Sequence, residues 1–135
     1  HGLPDVGQAY ITTERLVADK PETVTAALGA FVRGWRWYLG HLDQGIAIST
    51  RRFDADTPAE PHYVRRSAEA YRDNYLTDDT RAHGVLTLTP ERRHAVIGGL
   101  ALGGVRTTAT ELFDLSLLDR LYADHPDLRV APTGG

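Results

Sequence analysis

Apolar residues recur at steps of three and four between residues 24 and 39, which predicts one long amphipathic helix. Pro21 suits the first turn of that helix, because the N–H that proline lacks would be unpaired there anyway. Gly40 and His41 are plausible stop signals. Full burial of the larger side chains on this stripe would contribute roughly 1.5–3 kcal/mol each, so the stripe requires a substantial partner surface. Its members are Val24, Leu28, Phe31, Val32, Trp35, Tyr38 and Leu39.

A shorter alternating pattern comes just before this helix. Ala9, Ile11 and Thr13 would lie on one face of an extended segment, with Tyr10 and Thr12 on the other. The β-branched and aromatic content of residues 9–13 predicts a strand. The glycines and the proline of residues 2–8 predict a loop that leads into it.

The remaining patterns predict more helices and few strands. Helices are expected at 43–53, 62–76, 90–102 and 115–123, with a single turn at 110–113. Residues 77–80 are expected to be a break, residues 85–88 a short extended piece, and the chain from Pro126 onward a frayed tail. The fragment should therefore be mostly α, with five or six helices and one or two short strands.

Composition excludes several classes of protein. The 135 residues carry a net charge of −3, so no overall basic field attracts nucleic acid. The absence of cysteine excludes disulfides, thiolate zinc sites and cysteine nucleophiles within the chain. No apolar run approaches the roughly 18 residues of a membrane span. Because the chain opens at His1-Gly2 and contains no methionine, we expect a processed or truncated product.

Catalytic and metal-binding motifs are not found. The six histidines form no i, i+4 pair beside an acid, and the serines lie in no Gly-x-Ser-x-Gly elbow. Three arginine pairs are most simply solvated helix faces. The glycine-rich segment 98–104 lacks the lysine of a phosphate-binding loop and favours helix packing and capping. No catalytic residue, metal site or cofactor is predicted.

Four aromatic residues near the start of the chain could stack on a ring-containing ligand. Helical spacing favours a core role for Trp35 and Tyr38, whereas Trp37 lies off the apolar stripe. Tyr10 lies where a loop becomes a predicted strand, the usual place for ligand contacts in α/β proteins. Tyr10 is therefore the preferred candidate for ligand contact among them.

The order of several short motifs resembles a known family. They are Gly2-Leu3-Pro4, Tyr10-Ile11-Thr12-Thr13, Pro21-Glu22-Thr23-Val24, Gly34-Trp35, Ala82-His83-Gly84, Thr89-Pro90-Glu91-Arg92 and Glu111-Leu112-Phe113-Asp114. With these motifs, residues 2–125 resemble the C-terminal half of solute-binding proteins of ABC importers. The resemblance is to the nitrate, sulfonate, taurine and thiamine-pyrimidine type.

The resemblance implies the α/β fold of type II periplasmic binding proteins, in which two lobes enclose the ligand. Residues 1–126 would be the C-terminal part of the first lobe, and residues 127–135 a flexible tail. The ligand, a small organic solute such as a sulfonate or a thiamine-precursor pyrimidine, would contact Asp5, Gln8 and Tyr10. The full-length protein would act outside the cytoplasm with an ABC permease, without catalysis and without a membrane span of its own.

Two other functions stay open. One is a thiamine-pyrimidine synthase-like enzyme, which resembles the same fold and would need a cysteine-rich motif from the other half of its chain. The other is a free-standing helical interaction domain. If the long helix packs on a sheet encoded mostly upstream, the isolated chain exposes a large apolar patch and is expected to self-associate.

Overall fold

The computed structural model describes residues 9–53 and 61–130, and in these ranges the chain is mostly helical, with no strand. The mostly α character predicted for the chain is confirmed. Eight α-helices and one 3-10 helix lie in the described ranges. They are α1 Glu14–Asp19, α2 Pro21–Gly40, α3 Leu42–Phe53, α4 Pro61–Tyr75, α5 Asp78–His83, α6 Pro90–Leu102, α7 Ala109–Leu112, α8 Ser116–Asp124 and the 3-10 helix Pro126–Arg129.

Threonine side chains start four of these helices. In each case the hydroxyl accepts a hydrogen bond from a backbone N–H of the first turn, which satisfies one otherwise unpaired donor. The four capping residues are Thr13, Thr77, Thr89 and Thr108. The long helix α2 has no such cap, because Lys20 precedes it and makes no side-chain capping bond. Pro21 opens α2 as predicted.

The strand predicted at residues 9–13 is wrong. Residues 9–13 have no regular secondary structure, and Ile11 is 93% exposed, so the alternating pattern buries nothing. Thr13 does have extended backbone angles (φ −94°, ψ 146°), but these are the angles of a helix N-cap. The described residues contain no strand with which residues 9–13 could pair. The β-branched residues instead lead into α1.

The segment 77–88 also differs from its prediction. Thr77 does not begin a break but caps the short helix α5. The piece expected to be extended is a tight turn, because Gly84 and Leu86 have φ values of +99° and +66° and reverse the chain. The turn is closed by the Thr87 hydroxyl, which donates to the Gly84 carbonyl at 2.6 Å.

The apolar stripe of α2 finds its partners within the chain. Helix α2 packs against α8, α3 and α1, and its buried residues Val32 and Leu39 share one core with α8. The buried members of this core are Val32, Leu39, Val85, Leu118, Leu121, Tyr122 and Leu128. The inner part of the stripe is thus covered, whereas Phe31 stays 44% exposed. The apolar surface that this helix leaves available for self-association is therefore smaller than the whole stripe.

The packed part of the chain extends beyond the boundary predicted at residue 126. Residues 126–129 form a 3-10 helix that packs on α8, and Leu128 is only 4% exposed within the core. The Arg36 guanidinium also donates to the Val130 carbonyl at 3.0 Å. Residues 127–130 are therefore held against α2 and α8, and residues 131–135 lie outside the described ranges.

Tyr122 joins α8 to the turn after α5. Its ring is 1% exposed, and its hydroxyl donates to the Val85 carbonyl at 2.6 Å. The Arg129 guanidinium lies 5.3 Å from the ring centre, within the range of a cation–π contact. Burial raises the pKa of Tyr122 to about 12, against a lowering effect of Arg36 and Arg129.

We expect this raised pKa to make the protein less stable in alkali. In the unfolded chain Tyr122 ionises near its ordinary pKa of 10.0, whereas the folded protein holds the proton to about pH 12. The stabilisation that Tyr122 gives by keeping its proton is therefore complete below pH 10. As the pH rises above 10, the free energy of unfolding falls by at most about 1.4 kcal/mol per pH unit. Urea unfolding measured from pH 7 to 11.5 would show this fall.

The matched variants are Tyr122→Phe and Tyr63→Phe. Loss of the Tyr122 hydroxyl leaves the Val85 carbonyl without its partner and should lower the free energy of unfolding at pH 7 by about 1–3 kcal/mol. The same variant should show a shallower alkaline fall. Tyr63 is 66% exposed, so Tyr63→Phe should change neither quantity by more than about 0.5 kcal/mol. A Tyr122→Phe profile as steep as that of the unmodified protein would contradict the assignment.

Candidate ligand-binding cleft

An aromatic cleft of about 420 Å³ lies beside α2. Its volume falls within the range typical of small-molecule sites. Five of its lining residues come from α2, with one each from α3 and α4. They are Ala30, Phe31, Gly34, Trp35, Tyr38, Ser49 and Tyr71.

The α2 residues reach the same cleft because of helical periodicity. Residues 30, 31, 34, 35 and 38 are separated by steps of one, three and four, so they occupy one side of the helix. Trp35 and Tyr38 are half-buried and pack against the core, whereas Phe31 is 44% exposed. The cleft therefore has a well-packed floor and a rim that is open to water.

Two further rings support the lining rings from behind. Tyr10 stacks on Phe31 with ring centres 4.2 Å apart and an angle of 26° between the planes. Tyr75 stacks on Trp35 at 4.4 Å and 18°. The Trp35 indole N–H donates to the Tyr10 hydroxyl at 2.8 Å, which links the two stacked pairs. These contacts hold the Phe31 and Trp35 rings in fixed orientations.

Tyr38 forms a corner of the cleft. Its ring meets Trp35 edge to face, with centres 6.0 Å apart and an angle of 85°. The same ring lies directly on the backbone of α3 at Gly45, where a Cβ atom would come within 2.5 Å of the ring carbons. Burial raises the pKa of Tyr38 and is also the main cause of the raised pKa of Tyr75. Both hydroxyls are therefore neutral at physiological pH.

The open space of the cleft adjoins Gly34. An ideal Cβ placed on Gly34 would meet no heavy atom of the described residues within 4 Å, apart from its chain neighbours and the backbone of its own helix. The glycine thus leaves room between Phe31 and Trp35 that any larger residue would fill. Across the cleft, Ser49 of α3 supplies a small hydroxyl that could donate to or accept from a ligand substituent.

The structure describes one of the three predicted ligand-binding residues. Tyr10 lies behind the cleft, where it supports Phe31 and accepts from Trp35, and its ring is 45% exposed. Its part in the cleft is to position other rings, and it is not among the lining residues. Asp5 and Gln8 lie outside the described residues.

The two tryptophans have different surroundings, as their positions in the sequence suggest. Trp35 packs against the core as predicted, and it also lines the cleft. Trp37 lies off the stripe, is 40% exposed and stacks on the His41 ring at 5.3 Å. Trp37 is not among the residues that line the cleft.

Several residues of the cleft lining are not predicted as site residues from the sequence. Among them are Phe31, Gly34, Ser49 and Tyr71. Phe31 and Tyr71 belong to periodic apolar patterns, which favour burial, yet they are 44% and 47% exposed. One signal was available in the sequence, because helices α2 and α4 both carry aromatic residues four apart, at 31 and 35 and at 71 and 75. Their meeting in one cleft depends on how α3 and α4 pack beside α2.

The described residues provide neither a metal-binding cluster nor a membrane-spanning helix. In the ranges 9–53 and 61–130, no three histidine, aspartate or glutamate side chains are grouped so as to hold a metal ion. Within the same ranges, no helix combines the length and the apolar character needed to cross a membrane.

Comparisons of the chain with protein-family models, with curated proteins and with solved structures find no match.

Proposed function

We propose that this chain is a binding module for a small, ring-containing organic solute, which it holds in the aromatic cleft. The observation that supports this function is the lining itself, in which the rings of Phe31, Trp35, Tyr38 and Tyr71 border one open cleft of about 420 Å³. Small-molecule sites are concave and mostly apolar, with a few polar groups that orient the ligand. Ser49 is such a polar residue of the lining, and Tyr38 and Tyr71 each carry a hydroxyl.

The aromatic lining favours a planar ligand over an aliphatic one. Stacked or edge-to-face aromatic pairs contribute about 0.5–1.5 kcal/mol beyond the burial of area. Because Tyr10 and Tyr75 already fix the Phe31 and Trp35 rings, little side-chain freedom remains to be lost when a ligand stacks on them. The cleft is in this sense preorganised for a ring.

The narrower proposal is that the chain is the ligand-binding component, or part of it, of an ABC importer that works outside the cytoplasm. It rests on the motif resemblance, from which the two-lobe α/β fold and the permease partner also follow as proposals. Of the solutes that the resemblance suggests, a pyrimidine ring suits an aromatic cleft, whereas a sulfonate group finds no cationic side chain among the lining residues that the structure describes.

We expect toluene, used as a neutral ring probe, to bind in this cleft with a dissociation constant of about 1 mM, given the few contacts that so small a molecule makes. Binding can be followed by ¹H–¹⁵N NMR at the two tryptophan indole N–H groups. The Trp35 signal should shift and saturate, because Trp35 lines the cleft. The Trp37 signal should shift little.

Trp37 provides the internal control for this titration. The Trp37→Phe variant removes one indole signal and so assigns both, and it should leave toluene binding unchanged. Equal or non-saturating shifts of the two indole signals would contradict binding in the cleft. Turnover of a ring compound by the protein, in place of simple binding, would favour the enzyme alternative.

A further inference from the structure

We infer that the cleft selects a cationic ring over a neutral or anionic ring of the same shape. The inference rests on the proposed function and names the chemical class of its ligand. Among the described residues that line the cleft, none is charged, and four are aromatic. Aromatic rings carry negative electrostatic potential on their faces and positive potential at their edges, so a cation is attracted to a ring face.

The stacked pairs determine which ring faces a ligand can use. Tyr10 covers one face of Phe31, and Tyr75 covers one face of Trp35, at centre distances of 4.2 and 4.4 Å. Neither tyrosine lines the cleft. One face of each ring is thus already occupied by a tyrosine, so a ligand that stacks on Phe31 or Trp35 must use the other face. Tryptophan offers the strongest cation–π face of the natural side chains.

The open rim keeps the cost of desolvating a cation low. Phe31 and Tyr71 are 44% and 47% exposed, so a ring cation in the cleft can stack on the floor while part of its surface stays hydrated. A fully enclosed apolar cavity would instead impose the large penalty of burying an unpaired charge. The combination of ring faces and an open side therefore favours a delocalised, weakly hydrated cation.

An anionic ring has no comparable stabilisation. No arginine, lysine or histidine is among the described residues of the lining, and the ring faces repel negative charge. Burial raises the pKa of Tyr38 in the lining, so its hydroxyl stays neutral and adds no negative charge. The selectivity thus derives from the ring faces.

The test compares N-methylpyridinium with toluene, which have the same ring and methyl group but differ in charge. Both are titrated into the intact chain by the same NMR measurement, with benzoate as the anionic ring. We expect N-methylpyridinium to bind about 5- to 30-fold more tightly than toluene, as one or two partly hydrated cation–π contacts predict. Benzoate should bind no more tightly than toluene.

A variant separates the ring face from simple apolar contact. Phe31→Leu keeps an apolar side chain at the rim but removes the aromatic face, and the exposed position should tolerate it. This change should weaken N-methylpyridinium binding several-fold more than toluene binding. The matched control Trp37→Leu, which removes an aromatic ring outside the cleft, should change neither.

The outcomes distinguish this inference from the proposed function. If toluene saturates the cleft and N-methylpyridinium binds equally or more weakly, the cation preference is wrong and the ring-binding function stands. If Phe31→Leu weakens both probes equally, the ring face is not the cause of the preference and the inference fails. If no probe shifts the Trp35 indole signal in a saturable way, both proposals fail together.

Discussion

The Gly84→Ala variant is expected to lose about 2–6 kcal/mol of unfolding free energy, which is a large part of the stability of a typical domain. Gly84 has φ +99° and ψ 160°, a region of backbone conformation that is essentially reserved for glycine. A Cβ at this position would also come within 2.7 Å of the Tyr122 ring. Tyr122 is 1% exposed and cannot move aside without disturbing the core. Urea unfolding followed by circular dichroism measures the loss.

Two comparisons separate backbone strain from steric conflict at Gly84. Gly104 also has a positive φ, +82°, but a Cβ there would meet nothing within 4 Å, so Gly104→Ala should cost only about 1–2 kcal/mol. In a Tyr122→Leu background the shorter side chain removes the conflict, and Gly84→Ala should then cost only the strain. If Gly84→Ala and Gly104→Ala lower the free energy of unfolding equally, Tyr122 does not restrict the residue at position 84.

The Gly34→Leu variant is expected to weaken ring-probe binding at least about tenfold, a loss of about 1.4 kcal/mol or more, while the protein stays folded. A leucine side chain at this position would occupy the space in which a ring is proposed to lie between Phe31 and Trp35. The first atom of the new side chain is not opposed, because a Cβ at Gly34 meets no described atom within 4 Å outside the chain neighbours and the backbone of its own helix. Replacing a glycine inside a helix should in addition stabilise α2 by about 0.5–1 kcal/mol. Weaker binding together with a gain in stability would show that the leucine blocks the cleft and does not unfold the protein.

Gly98 supplies the matched control for Gly34. Gly98 lies within helix α6, and a Cβ there would also meet nothing within 4 Å. Gly98→Leu should therefore give a similar gain in stability and leave the binding of toluene and N-methylpyridinium unchanged. NMR titration and urea unfolding of the two variants measure both effects. Undiminished binding in Gly34→Leu would exclude the cleft as the ligand site.

The helices were predicted well where local rules and tertiary contacts agree. The steps of three and four in α2, with Pro21 in its first turn, predict a helix that the structure places at residues 21–40. Thr89 and Pro90 likewise start α6 at the predicted residue. In these segments the periodicity that makes a helix amphipathic is also the pattern that buries one of its faces.

The failures lie where one local pattern fits two structures. Residues 9–13 have the composition of a strand, yet a strand is stable only when a neighbour pairs its backbone, and the described residues provide none. Thr13 and Thr77 are both helix caps, and a cap has the same extended backbone angles as a strand. Local composition cannot distinguish the two cases.

The cleft itself was only partly visible in the sequence. The sequence allows a stacking role for the aromatic residues near Trp35 and favours Tyr10 as the contact residue. The structure stacks Tyr10 on Phe31 and brings Tyr71 of α4 to the lining beside residues of α2. Which rings line a space and which stand behind it depends on the angles at which helices pack, and these angles are not encoded in any one segment.

The sequence by itself determined the helical character of this protein, the bounds of its main helices and the lack of cysteine chemistry, because these follow from periodicity, capping residues and composition. The tertiary structure alone decided that α8 covers the stripe of α2, that the turn at Gly84 closes under Tyr122, and that aromatic residues of α2 and α4 share one cleft. The physical reason is that helix propensity acts over a few residues, whereas burial and ring stacking join residues far apart in the chain, and their energies depend on the packing of the whole fold.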